Sequence, residues 1–137
     1  MPSSDIDTIM AYAEKAAVSK DINELPEKYE TQVGERGVTL SGGQKQRIWL
    51  ARALIKNPDV ILLDDSLSAL DANTEHQILD HLDTDLKGKT CLIITHRISN
   101  QLEFDKVVVL EEGKVEHQGT HAEVVQVNEY YNKLVQA

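Results

Sequence analysis

Two short aliphatic runs, Val60-Ile61-Leu62-Leu63 and Thr90-Cys91-Leu92-Ile93-Ile94, set the strongest limit on how this chain folds. Neither alternates with polar residues, so each suits a strand buried on both faces. Between them Asp71 can cap a helix over roughly residues 73 to 86, and Gly88 ends it before the second run. Strand, helix, strand in that order is a βαβ unit, with parallel strands and a right-handed connection. The first run stops at two carboxylates, Asp64 and Asp65. The C-terminal end of a buried parallel strand is where α/β sheets bind ligands.

The flanking segments add helices and a hairpin. Ile6, Ile9, Met10, Ala13 and Ala17 fall at helical spacing behind Ser3, Ser4, Asp5 and Asp7, which predicts a capped helix over residues 5 to 18. Asp21 to Leu25 adds a turn that Pro26 ends, and Gly34 and Gly37 place Thr31 to Ser41 in a loop. The next helix starts at Gly42 or Gly43 and ends near Lys56, with Ile48, Ala51, Leu54 and Ile55 as its apolar face and Asn57-Pro58 as its stop. Val107 to Leu110 and Lys114 to His117 flank Glu111-Glu112-Gly113 as a hairpin. Thr120-His121-Ala122-Glu123 matches a capping box that opens one last helix over Val124, Val125, Val127, Tyr131 and Leu134. The fold class is α/β.

Composition excludes several functions. At 137 residues there is room for one modest domain, and 41% apolar against 4% aromatic residues means an aliphatic core. A formal charge of -9 argues against recognition of nucleic acid or anionic lipid through broad positive charge. Cys91 is the only cysteine, which rules out an internal disulfide framework and makes a reducing, cytoplasmic setting the default. No apolar run is long enough to span a bilayer, and the N-terminus lacks signal-peptide features, so the chain is expected to be soluble and to reach a membrane only by docking. His117 and His121 straddle a strand end and a helix start, so both read as surface residues and not as a metal pair. Cys91 reads as a small core residue, and Trp49 as a packing or interface side chain.

The most specific string is Leu40-Ser41-Gly42-Gly43-Gln44, followed by Lys45-Gln46-Arg47. Small residues at a helix start let a phosphate approach the backbone N–H groups, the helix dipole favours its charge, and Ser41 adds a hydroxyl. Gly42-Gly43 alone would be only a turn into a helix. The whole string resembles the signature motif of ABC-transporter nucleotide-binding domains, and further motifs of that family follow it in order. The resemblance implies a partial P-loop NTPase fold: a helical-subdomain part over residues 1–40, then the signature helix and the C-terminal part of the ATPase core over residues 41–137. Ser41, Gly42, Gly43 and Gln44 would then contact ATP held by a second nucleotide-binding domain in a head-to-tail dimer.

Within this resemblance the strand ending in Asp64 is similar to the Walker B element, with Asp64 as the Mg²⁺ residue. Asp65 stands where the family usually has Glu to orient or deprotonate the attacking water. Its side chain is shorter by one methylene, about 1.5 Å, and a misplacement of about 1 Å costs on the order of 10²-fold in rate. Slow hydrolysis is expected. The substitution is familiar from heterodimeric exporters with one degenerate ATP site, in which the intact signature completes the partner's competent site. Ser68-Ala69-Leu70-Asp71 resembles the D-loop, which couples the two sites, although a plain turn with an Asp helix cap is compatible with the same residues. His96 in Thr95-His96-Arg97 resembles the switch residue that senses the γ-phosphate. Thr31-Gln32-Val33-Gly34-Glu35-Arg36-Gly37 resembles the X-loop of exporters, with Gln32 in place of the usual Glu, and implies contact with the transmembrane domains.

The sequence holds no phosphate-gripping G-x-x-x-x-G-K-S/T loop. Gly88-Lys89-Thr90 supplies only its tail and leads into a strand. The expectation is a piece of an exporter's ATP-driven motor on the cytoplasmic face of a membrane, binding ATP weakly on its own. Apolar strand edges and faces should also be left open where further strands would pack. A noncatalytic interaction module built from the same fold is the alternative reading. A DNA-repair ATPase is a third, but it would not be expected to carry the X-loop pattern.

Overall fold

The computed structural model describes residues 5–98 and 103–136, which fall in two compact units, Met1–Ile94 and Thr95–Ala137. The first unit opens with α1 (Ile6–Lys15), capped by Asp5, whose Oδ1 accepts the Thr8 N–H at 2.9 Å. Ser3 and Ser4, the other cap candidates, lie outside the described residues. The helix stops short of residue 18. Ala17 turns into the left-handed region at φ 52°, and the Val18 N–H reaches back to the Ala13 carbonyl at 2.9 Å. This corner buries Ala13, Ala16 and Val18 almost completely. It also starts α2 (Ser19–Asn23) two residues earlier than the turn expected at Asp21.

A 3-10 turn at Lys28–Glu30 and a loop lead to α3 (Gly42–Leu54). Asn57, at φ 46°, donates its N–H to the Leu54 carbonyl and ends the helix slightly before Lys56. The buried side chains of α3 are Leu50 and Leu54. Of the expected apolar face, Ile48, Ala51 and Ile55 are half-buried and line an open groove with Trp49, Tyr12 and Ile9. Trp49 itself is 62% exposed.

β1 (Val60–Asp64) and β2 (Thr90–Ile94) pair in parallel, Leu62 opposite Leu92 and Asp64 opposite Ile94, around α4 (Ala72–Asp85). The βαβ reading holds, but burial on both faces does not. Ile61 and Leu63 are buried, whereas Val60, Leu62, Leu92 and Ile94 are exposed, because no described element of this unit covers their side of the strand pair. The open apolar face expected of an incomplete sheet is therefore present. Cys91 is only half-buried, enough to push its thiol pKa up by desolvation. Ile78, Leu79 and Leu82 of α4 complete the core of this unit, and a Lys15–Asp85 ion pair at 2.7 Å ties α1 to α4.

In the second unit β3 (Val107–Glu111) and β4 (Lys114–Gly119) form the expected antiparallel hairpin. Glu112 and Gly113 make its turn, with φ 48° and 75°, the sign a two-residue hairpin turn needs. Thr120 and Glu123 form the capping box of α5 (His121–Val127). The single last helix is a correction: Asn128 leaves helical conformation at φ -114°, ψ 109°, and α6 (Glu129–Gln136) begins anew. The break folds α6 back so that Tyr131 joins Val109 and Val124 in a small core. His117 and His121 are half-buried instead of surface residues. Asn128 Nδ2 lies 3.1 Å from His117 Nδ1, and His121 Nδ1 lies 2.9 Å from the Tyr131 hydroxyl.

Candidate functional site

Ser41, extended at the N-cap of α3, accepts the Gln44 N–H on its hydroxyl at 3.2 Å, while Gln44 Oε1 accepts the Ser41 N–H at 2.9 Å. This capping box fixes the entry turn. Gln44 Nε2 donates to Asp21 Oδ1 at 3.0 Å, so both ends of that amide are held within the chain. Gly43 makes a close approach, since a Cβ there would lie 3.1 Å from the Ala69 carbonyl oxygen. Around Gly42 there is space, the nearest atom to an added Cβ being Ala69 Cβ at 3.9 Å. Helix geometry leaves the N–H groups of Gly42 and Gly43 without intrahelical acceptors, and the dipole of this 13-residue helix favours an anion beside them. Ser41 and Gly42 are exposed. The turn can receive a phosphate.

Asp64 ends β1 exposed, on the same open face as Val60 and Leu62. Asp65 follows with φ 48° and donates its N–H to the Ile94 carbonyl at 2.8 Å. The Asp65 carbonyl accepts the Ser68 N–H at 3.3 Å, the Ser68 hydroxyl at 2.9 Å and Gln46 Nε2 at 3.4 Å. Gln46 also donates to Ser68 Oγ at 3.2 Å and accepts the Ala69 N–H at 3.1 Å on Oε1. Asp71 caps α4 through Thr74, whose hydroxyl and backbone N–H hold the Asp71 carboxyl below its ordinary pKa.

Among the described residues no three His, Cys, Asp or Glu side chains cluster as a metal site. A lone carboxylate at a strand end fits only a hard cation whose other ligands are phosphate and water, which is the habit of Mg²⁺. His96 is exposed at the start of the second unit, in a turn where Thr95 Oγ1 accepts the Arg97 N–H at 3.0 Å.

Gln32, Gly34, Glu35 and Arg36 lie in an exposed turn closed by the Val38 N–H donating to the Gln32 carbonyl at 2.9 Å. A Cβ on Gly37 would collide with that carbonyl. Gly37→Ala is expected to open the turn at a cost of about 1–2 kcal/mol, seen as faster amide exchange at Val38. Unchanged exchange would contradict this geometry.

α3 thus brings Ser41 to Gln44 together with the segment holding Asp65 and Ser68, while Gln32 to Arg36 and His96 stand on separate turns. Gln46 and Arg47 follow the most specific string in the sequence, but the sequence reading gave neither a role. Arg47 donates to the Ala17 carbonyl at 2.6 Å and pairs with Asp21 at 3.0 Å, locking α3 to the α1–α2 corner. A signal for both existed: residues three and four beyond Gly43 share its helix face, and a glycine spaced for close approach marks the face that meets a neighbour.

The family model described as "ABC transporter" matches residues 3–68. Human ATP-binding cassette sub-family B member 5 is 47% identical over 96% of this chain, which spans 10% of that protein. The probable multidrug resistance ABC transporter ATP-binding/permease protein YheI of Bacillus subtilis is 47% identical over 96% of this chain, here 22% of the relative. The solved structure of a bacterial Atm1-family ABC exporter with ATP bound superposes with a TM-score of 0.85 and 36% identity, covering 99% of this chain and 24% of that one. The chain therefore spans less than a quarter of each of these relatives. No helix among the described residues is long and apolar enough to cross a membrane.

Proposed function

The chain belongs to the ABC transporter family, and on that premise we propose that it is a piece of the ATP-binding and ATP-hydrolysing subunit of an exporter. The observation that supports this best is the open, capped N-terminus of α3 with Gln46 tying it to the Asp65 segment. In this reading Ser41 and the N–H groups of Gly42 and Gly43 bind the triphosphate held by a second nucleotide-binding domain in a head-to-tail dimer. Gln44 supports them through the capping box.

The reaction is in-line attack of water on the γ-phosphate. Asp64 would hold Mg²⁺, which when bound neutralises charge on the phosphates. Asp65 orients the attacking water with a carboxylate of short reach, and His96 hydrogen bonds the γ-phosphate. Ser68 and Asp71 lie in the segment that couples the two sites. Gln32, Gly34, Glu35 and Arg36 face the transmembrane domains on the cytoplasmic side. The pairing that suits Asp65 is a heterodimer in which this chain contributes the weak site.

Calorimetry with Mg-ATP tests the division of labour. The 137-residue chain is expected to bind no tighter than millimolar, because it holds no lysine-bearing P-loop to cradle the phosphates. A full-length relative in which this segment replaces its own is expected to bind and hydrolyse ATP. Micromolar binding by the chain alone would refute the first expectation. A replaced relative that assembles but never hydrolyses ATP would favour a noncatalytic interaction module.

A further inference from the structure

We propose that Gln46 is a positioning residue that transmits the state of the Ser41–Gly43 turn to Asp65; this rests on the ATPase reading above. Its amide makes three contacts on one short segment: Nε2 to the Asp65 carbonyl at 3.4 Å and to Ser68 Oγ at 3.2 Å, and Oε1 from the Ala69 N–H at 3.1 Å. Gln46 sits on the first turns of α3, one helical turn from Gly43, which itself packs on the Ala69 carbonyl. Ser41 Oγ and Gln44 fix the start of the same helix.

Asp65 is the residue such a clamp can influence most. It is held at φ 48°, a left-handed conformation unusual for a side-chain-bearing residue, and its carbonyl is the acceptor that Gln46 and Ser68 share. A shift or rotation of α3 as a phosphate engages its N-terminus changes the pull on that carbonyl. The orientation of the Asp65 side chain follows, because side-chain direction is set at its Cα. One amide thus joins the turn that reads the partner's nucleotide to the carboxylate acting on this domain's own.

Two variants separate positioning from simple support. Gln46→Glu keeps an acceptor for the Ala69 N–H but removes the donor to Asp65, whereas Gln46→Ala removes both. In the 137-residue chain, amide exchange at Ala69 should quicken in Gln46→Ala and stay slow in Gln46→Glu. In the full-length relative carrying this segment, both variants should lower kcat roughly tenfold, the scale of one lost hydrogen bond, with the KM for ATP nearly unchanged. If the unsubstituted replacement lacks ATP turnover, the ATPase reading falls and takes this inference with it. If it turns over and Gln46→Glu matches it in kcat, the inference alone is overturned. A fall in both variants confined to KM would also overturn it.

Discussion

Asp65→Glu, introduced into the full-length relative that carries this segment, is expected to raise kcat for ATP on the order of 10²-fold while leaving the KM for ATP nearly unchanged. The backbone of Asp65 has little slack with which to offset its short side chain. Its N–H is bonded to the Ile94 carbonyl, and its own carbonyl takes the Ser68 N–H, the Ser68 hydroxyl and Gln46. The distance from the main chain to the attacking water must therefore be covered by the side chain alone. One added methylene extends the carboxylate by about 1.5 Å, enough to restore contact where a 1 Å error is expensive. A small loss of stability should accompany the gain, under about 1 kcal/mol, because Asp tolerates the left-handed region at this position better than Glu. Steady-state kinetics and urea unfolding of the same pair of proteins measure both effects. Equal kcat in the two would remove Asp65 from its proposed role at the water.

How far the fold could be read in advance depended on whether a local rule decided each element. Asp71 and Thr120 announce helix starts because a cap is satisfied within three residues of itself, and both caps are present. Ser41 caps α3 by the same local rule, although the sequence reading makes it only a hydroxyl beside a phosphate. The Glu112-Gly113 turn is equally local. The helix breaks at Ala17 and Asn128 were not legible, since neither Pro nor Gly marks them. The Ala17 corner exists because it buries Val18 and gives Arg47 a carbonyl, 30 positions along the chain. Periodicity also misjudged β1 and β2. A continuous aliphatic run says that both faces of a strand tolerate burial, not that each face finds a cover among the described elements of its unit. At the candidate site, the string from Leu40 to Gln44 could be read as a phosphate turn, yet its link to Asp65 could not. That link runs through a side chain whose partners are main-chain atoms of a loop, and main-chain atoms leave no trace in residue identity.

Asn128 gives the sharpest test of the second unit, because one buried amide does three things there. Its Oδ1 accepts the Tyr131 N–H at 2.7 Å and so caps α6, while Nδ2 donates to Glu116 Oε2 at 2.9 Å and lies 3.1 Å from His117 Nδ1. Asn128 itself is 4% exposed, so its amide depends on these partners and not on solvent. Asn128→Ala is expected to cost about 2 kcal/mol, chiefly the loss of a cap whose donor, the buried Tyr131 N–H, is left without its acceptor. Asn128→Asp should cost a similar amount at neutral pH for a different reason. It retains the cap acceptor but puts a carboxylate oxygen where Nδ2 now meets the Glu116 carboxylate. Burial and this like charge raise the folded-state pKa of the new carboxyl above its unfolded value. The folded protein therefore binds the extra proton more tightly, and the penalty shrinks as pH falls through that raised pKa. Urea unfolding of the 137-residue chain at neutral and mildly acidic pH reads this directly. Asn128→Ala should show no comparable recovery, and a penalty in Asn128→Asp that stayed constant with pH would mean that Glu116 does not face the amide as the structure places it.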